Sequence, residues 1–374
     1  MKYYIIAGEA SGDLHGSNLI KELKRLDEQA EIRCWGGDLM QSAGGLIVKH
    51  YKELAFMGFV EVVMNLRTIL NNLKFCKDDV QLFQPDVLVL IDYPGFNLRV
   101  AQWAKAQGYK IVFYISPQVW AWKEGRVKKM KQYIDKMLVI LPFEKDYYKN
   151  RWNWDVEYVG HPLVQVIDKF KENPTSVSEI TNGKSVIALL PGSRKQEILK
   201  KLPIMLEVSK SFPGYEFIVA KAPGQEDGFY EPLLQAYHNV SSVRNETYAL
   251  LAKSVAALVT SGTATLETAL FAVPEVVCYK GSNISYQIAK RLIKIKYISL
   301  VNLIMDKLVV TELIQNDLTI DNLERELDLL LNNRQKASAI QKDYAELKQL
   351  LSRGGDASAK AAESIYLFVK GIPR

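Results

Sequence analysis

The chain has 374 residues, of which 48% are hydrophobic and 24% charged; that balance supports a sizeable core and excludes disordered, collagen-like and disulfide-stapled classes. Its length corresponds to roughly two to three domains, and its net charge of +6 leaves room for an anionic partner: nucleic acid, a phosphorylated substrate or a lipid surface. Cys34, Cys76 and Cys278 stand far apart with no CxxC pair, which argues against a structural zinc site and for a reducing, cytosolic compartment.

The first predicted element is a strand over 2–7, without the charged-then-apolar layout of a signal peptide. No uncharged apolar run reaches the ~18 residues of a membrane span, so a soluble cytoplasmic protein is expected. Further strands are predicted at 31–35, 87–91, 110–115, 137–140 and 156–159, then at 185–190, 215–220, 255–260 and 275–279. Helical patterns lie between them at 14–27, 60–83, 97–107, 195–211, 263–272 and 283–294. Strands alternating with helices imply parallel sheets covered on both faces. The polar segment 161–184, with Pro162, Pro174 and Gly183, breaks the rhythm, and its later part reads as a linker. From about 319 the pattern is helix only. The expectation is two Rossmann-like doubly wound α/β domains, 1–165 and 166–344, facing a central cleft, with helices of about 345–374 packing back on the first.

In such sheets ligands sit beyond the carboxyl ends of the strands, so the residues after each apolar run matter most. Strand 2–7 is followed by Gly8-Glu9-Ala10-Ser11-Gly12-Asp13. Gly8 and Gly12 allow close backbone approach, and the next helix would aim free N–H groups at sugar or phosphate oxygens. The same turn can equally be structural, with Ser11 or Asp13 as a helix cap. After 87–91 stands Asp92, in Asp92-Tyr93-Pro94-Gly95-Phe96-Asn97. A carboxylate leaving an apolar strand can accept a proton from a substrate hydroxyl, or it can cap the turn at Pro94. The segment Ser116-Pro117-Gln118-Val119-Trp120-Ala121-Trp122 leads into Lys123, Arg126, Lys128, Lys129 and Lys131. Its aromatic surface suits sugars or acyl chains and its cations suit phosphate or anionic lipid, with a solvated helix face as the alternative.

The second half opens with Leu189-Leu190-Pro191-Gly192-Ser193-Arg194, placing Arg194 where it can pair with a diphosphate. Ser261-Gly262-Thr263-Ala264 forms a second strand–turn–helix cradle of small residues, and Glu267 one turn later could accept bonds from two ribose hydroxyls. Together these indicate a nucleotide diphosphate site. No GxxxxGK[ST] loop, no Asp-x-Asp and no histidine cluster occurs, so neither a metal nor a cofactor is indicated.

These residues resemble the lipid-A-disaccharide synthase family, glycosyltransferases of the GT-B fold. The match rests on Gly8 to Asp13, Met57-Gly58-Phe59-Val60-Glu61-Val62, Asp92-Tyr93-Pro94 with Phe96-Asn97, and Ser116 to Trp122. It continues through Leu141-Pro142-Phe143-Glu144, Gly160-His161-Pro162, Leu189 to Arg194, Ser261 to Ala264 with Leu266-Glu267, and Ser299-Leu300 with Asn302-Leu303. The resemblance implies inverting, metal-independent transfer of 2,3-diacylglucosamine from UDP-diacylglucosamine to diacylglucosamine 1-phosphate. It makes Asp92 the candidate base, Arg194 and Asn302 UDP-binding residues, and Glu267 the ribose ligand; Gly192, Ser193 and the Ser261 to Ala264 turn would hold the diphosphate. Gly8, Glu9, Ser11, Gly12 and Asp13 would line the acceptor sugar. Two positions depart from the family pattern: Gly95, where a second acidic residue is common, and Val301, where proline usually precedes the asparagine.

Because both substrates carry acyl chains, the apolar stretch 54–64, with Phe56, Met57, Phe59, Val60 and Val63, is the candidate lipid-facing entrance, core packing being the alternative. The cations at 123–131, with Lys290, Arg291, Lys294 and Lys296, would hold the protein on an anionic leaflet. The partners expected are the two acyl sugars and peripheral contact with anionic lipid on the cytoplasmic face of the inner membrane, with no nucleic acid; the resemblance leaves room for a homodimer. A rival on the same fold is a non-hydrolysing UDP-sugar 2-epimerase.

Overall fold

A computed structural model describes residues 1–54, 66–173, 183–281 and 295–372. It divides into two compact units, Met1–Pro162 with the chain from Ser352 onward, and Leu163–Leu351. The expected lipid-facing residues Phe56, Met57, Phe59, Val60 and Val63, and Lys290, Arg291 and Lys294, lie outside the described residues.

The first unit is a seven-stranded sheet of order β3-β2-β1-β4-β5-β6-β7. Its strands are β1 (Lys2–Ala7), β2 (Glu31–Gly36), β3 (Leu46–His50), β4 (Val87–Ile91), β5 (Ile111–Tyr114), β6 (Lys136–Val139) and β7 (Glu157–Tyr158). Every pairing is parallel. The second unit repeats the plan with β8 (Ser185–Leu190), β9 (Tyr215–Lys221), β10 (Val240–Arg244), β11 (Ser254–Thr260), β12 (Glu275–Tyr279) and β13 (Thr311–Ile314), in the order β10-β9-β8-β11-β12-β13. The runs Val-Leu-Val-Leu-Ile of β4 and Val-Ile-Ala-Leu-Leu of β8 are buried throughout, because a parallel strand covered by helices on both faces has no solvent side.

Three strands absent from the sequence-based expectation, β3, β10 and β13, are all sheet edges. Each is only partly buried, so each carries polar residues and lacks the apolar run that marks a central strand. The helices Pro142–Trp152 and Pro162–Glu172 were likewise not expected. In the latter, Leu163, Val164 and Ile167 are buried in the second unit's core, so the first half of the polar 161–184 segment is an amphipathic element of that unit. The expected helix 283–294 lies outside the described residues.

The chain returns to the first unit through the helix Ala357–Lys370, which packs along the helix Ala10–Leu26. The return is tight. A Cβ added to Gly354 would lie 2.1 Å from the Gly160 Cα, and Gly160 has φ +96, so backbones touch where only glycine fits. Among the described residues no helix is long and apolar enough to cross a membrane.

Candidate active site

In both units the strand order reverses beside the first strand, and the two strands flanking that point end together. In the first unit Ala7 pairs with Ile91, which brings Gly8 and Asp92 to one sheet edge, the switch-point position where such folds bind ligands. Asp92 and Tyr93 both have left-handed backbones, φ +45 and +47, a conformation that costs non-glycine residues of order 1–2 kcal/mol each. The side chain of Asn97 holds this turn, its Nδ2 donating to the Asp92 carbonyl at 2.7 Å and the Ile91 carbonyl at 3.2 Å. Pro94 then opens the helix Pro94–Ala106, whose N-cap is Tyr93 with no side-chain cap. Asp92 is therefore not the N-cap residue of that helix, and its carboxylate accepts the backbone N–H of Tyr93 within the turn.

The Asp92 carboxyl is partly buried. Burial, and then the charge of Glu9, push its pKa up to about 7, which matches a proton acceptor working near neutrality. Gly8 is required by Tyr93, since a Cβ at position 8 would fall 2.4 Å from that ring.

The rest of the first loop divides by role. Glu9 is the N-cap of the helix Ala10–Leu26 without a side-chain cap bond, and Ser11 is exposed. Gly12 is buried, a Cβ there meeting that of Ala7 at 3.1 Å. Asp13 is buried and accepts N–H bonds from Gly37 at 2.7 Å, Met40 at 3.0 Å and Leu39 at 3.2 Å. Its carboxylate thus caps the short helix Asp38–Ser42 rather than its own helix, which corrects the expectation that it lines a sugar.

Glu144, singled out in the sequence only within a motif, joins this environment. It is buried, accepts from Trp120 Nε1 at 3.1 Å and the Leu141 N–H at 3.0 Å, and is pushed up to about 7, chiefly by burial and in small part by Asp92. His15 and His161, also buried, are lowered by desolvation to about 4 and about 3, so both are neutral at pH 7.

In the second unit Leu190 pairs with Val259, so the turns at Pro191 and Thr260 share an edge. Gly192 (φ +111) and Gly262 (φ +147) shape them. Arg194 is the exposed N-cap of the helix Lys195–Ser209, its Nη1 3.3 Å from Glu197 Oε1. Ser193 is exposed beside it. Gly262 is the N-cap of the helix Thr263–Leu270, with no side-chain bond to its first N–H groups, while Ser261 Oγ donates to the Ile298 carbonyl at 2.9 Å. Thr263 is exposed and Ala264 partly so. Such termini attract anions through free N–H groups and the helix dipole. Glu267 accepts from Tyr248 Oη at 3.0 Å, and burial raises its carboxyl above the ordinary range; Tyr248, unmarked in the sequence, orients it.

Asn302 is fully buried. Its Nδ2 donates to the Val310 carbonyl and to Glu312, each at 2.9 Å, and its Oδ1 accepts from Val309 and Val310 at 2.8 and 3.0 Å. Every hydrogen-bonding position of the side-chain amide is filled, so in this structure that amide shapes the loop that leads to β13. The neighbouring departure has a structural use: the Val301 N–H donates to Ser299 Oγ at 3.2 Å, a bond that proline cannot make. At Gly95 an added Cβ meets nothing within 4 Å, so no packing demand selects glycine there.

A family model described as lipid-A-disaccharide synthetase matches residues 3–366. The lipid-A-disaccharide synthase of Geobacter sulfurreducens is 37% identical over 358 residues, 94% of this chain and 93% of that one. That of Coxiella burnetii (strain CbuG_Q212) is 36% identical over 376 residues, covering 97% of each. Among solved structures, UDP-GlcNAc 2-epimerase from Neisseria meningitidis bound to UDP-GlcNAc is similar at TM-score 0.68 and 13% identity, over 98% of this chain and 100% of that one. The glycotransferase of kitacinnamycin is similar at TM-score 0.68 and 13% identity, over 100% and 99%. At that identity the two structures speak for fold alone, the GT-B arrangement of two Rossmann-like units.

Proposed function

Since this chain belongs to the lipid-A-disaccharide synthase family, we propose that Asp92 is the base of its glycosyl transfer and that the turns after β8 and β11 receive the departing diphosphate. The enzyme transfers 2,3-diacylglucosamine from its UDP conjugate to 2,3-diacylglucosamine 1-phosphate, forming the β-1,6-linked disaccharide 1-phosphate and UDP. Inversion takes one displacement. The acceptor hydroxyl loses its proton to the Asp92 carboxylate as its oxygen bonds to the anomeric carbon. The bond from that carbon to the β-phosphate oxygen breaks, and its electron pair leaves with UDP. Arg194 and the open N–H groups at Gly262 and Thr263 stabilise the charge that develops there, and Glu267, held by Tyr248, takes the ribose hydroxyls.

The observation that carries this reading is Asp92 on its strained turn at the strand end, with burial and then Glu9 raising its pKa to about 7. The epimerase alternative draws only on likeness of fold. The test supplies both acyl sugars in detergent with EDTA present and follows disaccharide and UDP by mass spectrometry. Equimolar products are expected from the wild type; folded protein yielding none would defeat the proposal.

The acyl substrates imply work at a bilayer, and a patch after β5 supports peripheral contact with the anionic cytoplasmic leaflet of the inner membrane. Trp122 is 45% exposed, with Lys123 Nζ 4.2 Å and the Arg126 guanidinium 5.7 Å from its ring. The one acid in this stretch, Glu124, is paired with Arg151, leaving the patch cationic. Flotation with phosphatidylglycerol vesicles should recover the wild type and lose Trp122→Ala combined with Lys123→Glu; equal recovery of both would remove this patch from the contact.

A further inference from the structure

The second unit contains a buried cation that neither the motifs nor the proposed mechanism uses. Lys201 lies two turns into the helix Lys195–Ser209 and is only 2% exposed. Its Nζ donates to Thr260 Oγ1, the hydroxyl of the last residue of β11, directly before the Ser261 to Ala264 turn. Glu197 lies 3.8 Å away, and that carboxylate also faces Arg194 at 3.3 Å; the Cys278 thiol is near enough to interact with the ammonium as well. Two cations thus face one carboxylate. Lys201 also borders the other turn: a Cβ placed on Gly192 would lie 3.4 Å from Lys201 Nζ, 3.2 Å from Glu197 Oε2 and 3.5 Å from Thr260 Cγ2. The ammonium therefore sits beneath both turns, where the two strand ends meet.

We propose that Lys201 is a positioning residue for the diphosphate, acting through Thr260. Because Thr260 Oγ1 accepts from the ammonium, its own hydroxyl proton is left to be donated, and a phosphate oxygen at the adjoining turn is the acceptor that the site supplies. Burial lowers the pKa of Lys201, so the charge is held at a desolvation cost, and an anion arriving at the turns relieves it. Glycine at 192 keeps the space above the ammonium open. The ligand class is a nucleoside diphosphate, and the assignment rests on the reading of these turns given above.

The test compares UDP with uridine on the full chain by isothermal titration and ligand-observed NMR. Lys201→Met is expected to weaken UDP about tenfold or more while leaving uridine unchanged, since an interaction with charged oxygens contributes about that factor. Thr260→Val should act in the same direction. Without ligand, Lys201→Met should melt at or above the wild-type temperature, as a buried charge gives way to an apolar side chain of similar length; its UDP-induced rise in Tm should shrink. Equal losses for UDP and uridine, or no loss for either, would overturn the assignment. Should Lys201→Met fail to fold, Lys201→Gln and Thr260→Val carry the same comparison. Arg194→Ala separates the two readings: wild type that does not bind UDP, or Arg194→Ala that binds it normally, removes the diphosphate site itself. A normal Lys201→Met beside a weakened Arg194→Ala removes only Lys201.

Discussion

The two units share a strand plan and carry opposite electrostatics. Each is a parallel sheet whose order reverses beside its first strand, and each presents two turns at that point. In the first unit burial and the charge of Glu9 raise Asp92 there, with Glu144 near enough to feel Asp92. In the second, Arg194 and Lys201 share Glu197 beneath helix N-termini that lack side-chain caps. The fold supplies the location and the side chains supply the chemistry. Burial, helped by a neighbouring acid, raises proton affinity, which suits a base; cations and N–H groups at helix N-termini suit an anion.

The sharpest break in this contrast comes from one substitution in each unit. Asp92→Asn should lower kcat by about 10²–10⁴ and leave UDP affinity near wild type, as read by product formation and calorimetry. Arg194→Ala should do the reverse in emphasis, weakening UDP about tenfold to a hundredfold. If Asp92→Asn abolished UDP binding, the division of roles would collapse.

A subtler outcome concerns pH. A base must be deprotonated, so kcat/KM should rise through an acid limb near pH 7, the raised value of Asp92. Glu9 contributes to that elevation, so Glu9→Gln should move the limb to lower pH. A limb that stayed in place would separate Glu9 from Asp92.

The smallest expected effect tests whether every raised carboxyl is functional. Glu275, at the start of β12, is fully buried, and burial holds its carboxyl well above the ordinary range. Its folded-state pKa exceeds the unfolded one, so the native state favours the neutral acid. The stability is fully present below the unfolded value and is lost progressively as pH rises above it. Glu275→Gln should therefore melt close to wild type at pH 5 and above it at pH 9, with turnover unchanged in proportion to folded protein. A pH-independent difference would show that ionisation of Glu275 does not govern stability.

Legibility followed burial. Central strands such as β1, β4, β8 and β11 announce themselves as apolar runs, and position after those runs is what singles out Asp92, Arg194 and Glu267 as candidates. Edge strands β3, β10 and β13 were not, because half of each faces solvent and its composition is that of a loop. The helix Pro162–Glu172 was hidden by the polar residues of its outer face. Lys201 and Tyr248 carried no readable signal, and Glu144 none beyond its place in a motif, since each reaches its partner from a helix across a long stretch of chain: Lys201 meets Thr260 59 positions away, and Trp120 meets Glu144 24 positions away.

The sequence by itself determined that 374 residues with a net charge of +6 form two doubly wound units and which residues stand at their strand ends. That information is local, because a buried parallel strand must be continuously apolar and the chain must turn where it stops. Only the tertiary structure decided what those residues are free to do. It bound Asp13 to the backbone of residues 37–40, filled every position on Asn302, raised Asp92 and set Lys201 beneath the turns. Hydrogen-bond saturation and proton affinity depend on neighbours distant in the chain, and so does the meaning of the positive charge: part of it lies exposed around Trp122, and part is buried where a diphosphate would leave.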